Sequence, residues 1–168
     1  PREEISLTTG FDLASDTQLG DALARARDTG RQALSGPSRQ LNSAGWSVAV
    51  IRPVYRQDIE TGTLEQRRTA LIGHAMVLIR PQGMLEKIIQ DRRFEGHEIA
   101  IFAVDPDATF RDSRDHGSLR DAPLIAGSLG DRTPGEQEWQ QGFHVISHVD
   151  FDGQRWGILA RPSDHALT

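Results

Sequence analysis

The residue whose setting most calls for a chemical explanation is His74, which stands inside the apolar run Leu71 to Ile79, two positions from Met76. A polar ring in such a strand must find a partner, because burying it unpaired costs free energy. Histidines in strands are usually satisfied within a core, and the alternative is contact with a ligand. His144 and His148 have the four-residue spacing of a helical zinc pair. They fall, however, where the sequence reads as a strand and four residues span about 13 Å, so one ion cannot take both. Asp105, Asp107 and Asp112 meet the calcium-loop pattern only in part, since Pro106 intrudes and the sixth position is not glycine. Ser35 and Ser38 flank Gly36-Pro37 without a Gly-x-Ser-x-Gly elbow, and the chain carries no phosphate-cradling glycine loop and no cysteine nucleophile. Arg67-Arg68 reads as a solvated pair or as a partner for Glu60 and Glu65, with the binding of a ligand carboxylate as the less common alternative. Nothing in this inventory requires an enzyme, and no catalytic residue, metal ligand or cofactor is assigned.

Two groups of strands would position these residues. Leu19, Leu23 and Ala26 recur at helical spacing with Asp21, Arg25, Arg27 and Asp28 on the other faces, which predicts an amphipathic helix. Ser15-Asp16 or Thr17 can cap it, and Thr29-Gly30 ends it. Gln32 to Leu41 reads as a polar extended segment broken by Gly36-Pro37, and Asn42-Ser43-Ala44-Gly45 as a turn. Trp46 to Val54 reads as a strand whose run Val48-Ala49-Val50-Ile51 fits burial on both faces. Arg56 to Arg68 is polar and reads as a loop of about a dozen residues. Leu71 to Ile79 is a second buried strand, and Pro81 to Ile89 a helix leading into the second group. That group holds a strand from His97 to Val104 and a long polar stretch, Asp112 to Gln141, with short helices expected at Pro123 to Ala126 and Glu136 to Gln140. A hairpin of Phe143 to Phe151 and Gln154 to Arg161 follows, closed by Asp152-Gly153. Ahead of the first helix, Ile5, Leu7 and Phe11 allow a strand.

Composition narrows the classes. A chain of 168 residues suits one domain or two small lobes. A net charge of -5 gives no support to nucleic-acid binding, which is marked by a basic surface. The absence of cysteine excludes a disulfide framework and a cysteine zinc site. No apolar run reaches the roughly 18 residues that a membrane helix needs, and no segment resembles a signal peptide.

Four blocks carry a resemblance to a known family. They are Ala24-Arg25-Ala26-Arg27-Asp28-Thr29-Gly30, Leu34-Ser35-Gly36-Pro37, Arg52-Pro53-Val54-Tyr55, and Glu65-Gln66-Arg67-Arg68 with Leu71-Ile72-Gly73. Their order resembles the CHASE domain from Thr9 to about Ile89, and Val149 to Gly157 resembles that family's last hairpin more loosely. The resemblance implies an extracytoplasmic sensor module of the kind carried by plant cytokinin receptors, bacterial histidine kinases and diguanylate cyclases. It implies an α+β fold of two PAS-like lobes of antiparallel sheet with helices. Residues 1–80 would form the membrane-distal lobe that holds the ligand, and residues 81–168 the membrane-proximal lobe. A chain that opens at Pro1 without a stalk helix is expected to be an excised piece. Its membrane attachment would run through flanking helices absent here, and the full-length receptor, in the inner or plasma membrane, would be a homodimer with this part on the periplasmic or extracellular side.

Carried over by position, the pocket of the plant receptors largely fails to match. The aspartate that reads the adenine ring falls at Leu19, the threonine just before the family's x-Pro-Val-Tyr at Ile51, and a pocket tyrosine at His74. Leu41 keeps the apolar wall. Leu19 and Ile51 would leave purine nitrogens unsatisfied at about 1–3 kcal/mol each, so cytokinin is not the expected ligand. The expectation is a pocket for an unidentified small molecule, with Trp46, Leu41, Ile51, Met76 and Leu19 as apolar wall and His74 as polar reader. The competing expectation is a ligand-free dimerisation or spacer module whose first-lobe cavity is filled by its own side chains. A cavity beside His74 and Trp46 would separate the two.

Overall fold

The computed structural model describes residues 12–39, 45–107, 119, 121–128 and 144–163. The chain divides into two compact units, Pro1–Ile79 and Arg80–Thr168, each built on its own antiparallel sheet. The fold is α+β, in two PAS-like lobes. The expected strand at Ile5 to Phe11, the turn at residues 42–44 and the helix at residues 136–140 lie outside the described residues.

In the first unit, helix α1 (Thr17–Thr29) begins where the Asp16 carboxylate accepts the amide of Leu19, and it ends at Gly30, whose φ of 70° is left-handed. The Gly30 amide closes the last turn on the Ala26 carbonyl, a geometry that glycine takes without strain. Leu19, Ala22 and Ala26 form its fully buried stripe. That stripe packs on a sheet ordered β1 (Ala33–Leu34), β2 (Val48–Tyr55), β3 (Leu71–Ile79). The register pairs Ile51 with Met76 and Pro53 with His74. Strand alternation then turns Ala49, Ile51, Met76 and Leu78 toward α1, while Arg52, Val54 and Val77 face the other way and are exposed. Burial on both faces therefore holds at the start of β2, where Val48, Ala49 and Ile51 are closed to solvent, and lapses from Arg52 onward.

Where Arg56 to Arg68 reads as loop, the structure has helix α2 (Leu64–Ala70). Its start is a reciprocal capping box: Thr63 Oγ1 accepts the Gln66 amide at 3.2 Å, and Gln66 Oε1 accepts the Thr63 amide at 2.9 Å. Ala70 is its buried residue, so the helix shows no apolar period. Arg67 and Arg68 do not pair with Glu60 and Glu65. The Arg67 guanidinium donates to the carbonyls of Asp28, Thr61 and Gly62, and Arg68 pairs with the Asp28 carboxylate at 2.7 Å. Arg27 joins the same carboxylate, and the Tyr55 hydroxyl donates to the Arg27 carbonyl. Hydrogen bonds from Arg68, and then from Arg27, hold the Asp28 carboxyl well below the usual carboxylate range. Three of the four resemblance blocks, those of Arg27-Asp28, Tyr55 and Arg67-Arg68, thus meet as one clasp at the C-terminal end of α1.

The second unit has the sheet order β5 (Leu124–Gly127), β4 (His97–Val104), β7 (Gln154–Pro162), β6 (Val145–Phe151). Leu124 to Ala126, expected in a short helix, instead pairs with β4, Ile101 facing Ala126. Three apolar residues are too few to display a period, and burial on both faces of a short strand removes the polar alternation that would mark it. Helix α3 (Pro81–Ile89) is pinned to this strand by Gln82, whose carboxamide accepts the Gly127 amide at 3.0 Å and donates to its carbonyl at 3.2 Å. Asp152 and Gly153, with φ of 40° and 89°, make the mirror-image turn that joins β6 to β7. Phe102, Val104, Leu119, Ile146 and Leu159 form the core. Gly157 lies opposite Phe102 in register, and a Cβ there would come 2.4 Å from Leu119 Cδ2, so the close approach requires glycine. Leu71–Ile79 and His97–Val104 lie in different sheets. Among the described residues no helix is long and apolar enough to cross a membrane, and no group of three or more acidic or histidine side chains is arranged to hold a metal.

Candidate functional site

A concave site in the first unit is assembled where the start of α1 meets the arm that follows β1. Asp16 is 7% exposed, and both its oxygens are engaged: one takes the Leu19 amide at 3.1 Å, the other the Ser38 hydroxyl at 2.8 Å. A single carboxylate therefore caps the helix and ties the arm to it across 22 residues. Ser38 and Ser47 exchange backbone hydrogen bonds of 2.9 Å, which hold the arm beside the strand that Trp46 enters. Ser35 fastens the same arm from beneath, accepting the Ala49 amide at 2.9 Å and donating to the Gly36 carbonyl at 2.8 Å. Gln18 reaches over Gly36 so closely that a Cβ there would stand 1.8 Å from its Oε1. The Arg39 guanidinium lies over the Trp46 ring, 4.6 Å from its centroid. Asp16, Thr17, Gln18, Ser38, Arg39 and Trp46 line an open cavity of about 410 Å³. The indole N–H of Trp46 is enclosed and meets no acceptor among the described residues.

The residues expected to form one pocket divide between two places. Leu19 and Ile51, both fully buried, and Met76, partly buried, pack directly together in the core between α1 and the sheet. His74 occupies the same inward face of β3, half-buried, with its Nε2–H donating to the Leu23 carbonyl of α1 at 3.2 Å. Trp46 is not in that cluster and borders the cavity. Leu41 lies outside the described residues. Asp16, Gln18 and Arg39 did not appear among the expected site residues. Asp16 carried a helix-cap signal, which names its local role and says nothing of a partner 22 positions away.

Burial lowers the pKa of His74, opposed by its bond to the Leu23 carbonyl and reinforced by the nearby Arg27 charge. The folded state thus favours the neutral ring, while an unfolded histidine titrates near 6.5. Below that value the unfolded chain binds more protons than the folded one, so this contribution is complete above it and is lost as pH falls toward the lower folded value. His74→Gln, which keeps a donor for the Leu23 carbonyl, is expected to flatten the decline of the urea midpoint between about pH 7 and 5. The loss at lower pH, where Asp28 protonates, should remain. Identical pH profiles for the two proteins would show that His74 is not the titrating group.

Compared with known proteins, the chain matches the family model described as CHASE domain over residues 1–111. The match takes in the whole first unit and runs past the end of β4. No curated protein matches.

Proposed function

Because the chain belongs to the CHASE domain family, whose members are extracytoplasmic sensor domains of signalling receptors, we propose that its first unit binds a small molecule and reports it to the output domain of a membrane receptor, a histidine kinase or a diguanylate cyclase. The observation that carries this reading is the cavity of about 410 Å³ beside Trp46, within the range of small-molecule sites. Its walls come from the start of α1, from the arm and from Trp46 at the entry to β2, segments that a ligand would draw together. A ligand with higher affinity for one arrangement of these segments shifts their population, and that shift is the signal. Leu19, Ile51 and Met76 act beneath the site as the packing that fixes α1 on the sheet, and His74 secures α1 through Leu23. In the receptor the first unit is the membrane-distal one, and the receptor signals as a homodimer attached through helices flanking this chain.

One observation favours a second reading, a ligand-free dimerisation or spacer module: at the positions that match the plant receptors' ligand contacts, Leu19 and Ile51 are closed to solvent within one core cluster. A thermal-shift screen of metabolites separates the two. A binder at a hundredfold its Kd adds about 2.7 kcal/mol of stability to the folded chain. Protection by at least one compound, abolished by Trp46→Ala and kept in the outward-facing Val77→Thr, is the expected result. A screen in which nothing protects, or in which Trp46→Ala changes nothing, favours the spacer.

A further inference from the structure

We infer that the cavity beside Trp46 takes a small organic anion, a carboxylate carried on a flat or apolar body. The inference rests on the ligand-binding reading above and names the class of ligand. It follows from the donors and acceptors that the cavity presents. Asp16 is the one carboxylate among the described lining residues, and both its oxygens are already engaged, by the Leu19 amide and the Ser38 hydroxyl. The Ser15 hydroxyl is turned to the Asp12 carbonyl at 2.7 Å. Donors, by contrast, are in surplus. The Arg39 guanidinium carries five N–H groups and rests on a ring face, and the Trp46 indole N–H is enclosed with no acceptor among the described residues. The amides of Thr17 and Gln18, first in α1, are among those that helix geometry leaves without an intrahelical acceptor. A cationic ligand would meet the Arg39 charge, while the one carboxylate of the described lining, Asp16, is 7% exposed with each oxygen already accepting a bond, so the arrangement favours an anion over an amine.

Arg39 also supplies a way to couple binding to rearrangement. Its side chain is exposed and held over the indole by a contact that is weak in water. A carboxylate offers the guanidinium a bidentate, charge-assisted pair instead. Leaving the ring for that pair uncovers the indole face, on which the flat body of the ligand stacks.

The test uses the chain itself and three probes of nearly one shape, benzoate, benzamide and benzylamine, followed by the indole N–H resonance of Trp46, assigned with Trp46→Phe. Benzoate is expected to shift that resonance saturably and to bind at least about tenfold more tightly than either of the others. Arg39→Gln should bring benzoate to the level of benzamide at an unchanged melting temperature, and Arg56→Gln, remote from the cavity, should leave benzoate binding intact. Benzamide or benzylamine binding as well as benzoate would overturn the anion assignment while leaving the cavity a ligand site. Benzoate binding unaltered by Arg39→Gln would overturn it equally. If none of the three moves the resonance, the assignment falls together with the ligand-binding reading.

Discussion

Ile51→Ala is expected to destabilise the first unit by about 2–5 kcal/mol. Ile51 is fully buried, faces Met76 in register and lies among Leu19, Ala22, Ala26 and Ala49. Most of these neighbours are alanines on a helix and on a strand. Alanine has no rotamer with which to follow a retreating side chain, so the volume vacated by Ile51 stays largely empty and the cavity cost adds to the transfer cost of the missing methyl groups. Urea denaturation followed by the fluorescence of Trp46, with Trp139 and Trp156 replaced by Phe, reports on this unit. The same measurement decides what kind of residue Ile51 is. A loss below about 1 kcal/mol would mean that its side chain faces open space, as the wall of a large pocket would, and is not a core residue.

Phe102→Ala should cost the second unit about 3–5 kcal/mol. Phe102 is fully buried on β4, which β5 and β7 flank on either side. Gly157 stands opposite it, and Leu119 fills the space above that glycine, so the aromatic ring lies in a layer already packed to contact. Phe102→Leu, which keeps most of the volume, should lose less than half as much. Hydrogen exchange in β4 and β7 is the suitable readout, because a chain with two cores need not unfold in one step and a single melting temperature would blend them. Protection in these strands that survives Phe102→Ala nearly unchanged would show that this core is not organised around the ring.

The elements legible in the sequence were those marked by a sustained apolar period or by a strong turn or cap signal. Helix α1 was legible from the spacing of Leu19, Leu23 and Ala26 and from Gly30, the β6–β7 hairpin from Asp152-Gly153, and β3, α3 and β4 from apolar runs long enough to show their period. The order of four short blocks was enough to indicate the family. Helix α2 was legible in principle, since Thr63 and Gln66 stand at capping-box spacing, but with little buried surface it lacked the apolar period that draws attention to a helix. The tertiary structure alone decided how these pieces meet. Asp28, Arg67 and Arg68 are ordinary surface charges in sequence and become a clasp only when α1 and α2 are brought together. Leu19, Ile51, Met76, His74 and Trp46 could all line one pocket as far as residue type tells. Strand register instead turns Ile51, Met76 and His74 inward beneath α1, where the helix's own Leu19 meets them, and the Asp16–Ser38 bond places Trp46 beside an opening of its own. Periodicity and turn chemistry are properties of neighbouring residues, whereas a hydrogen bond across 22 positions depends on the path of the chain between them.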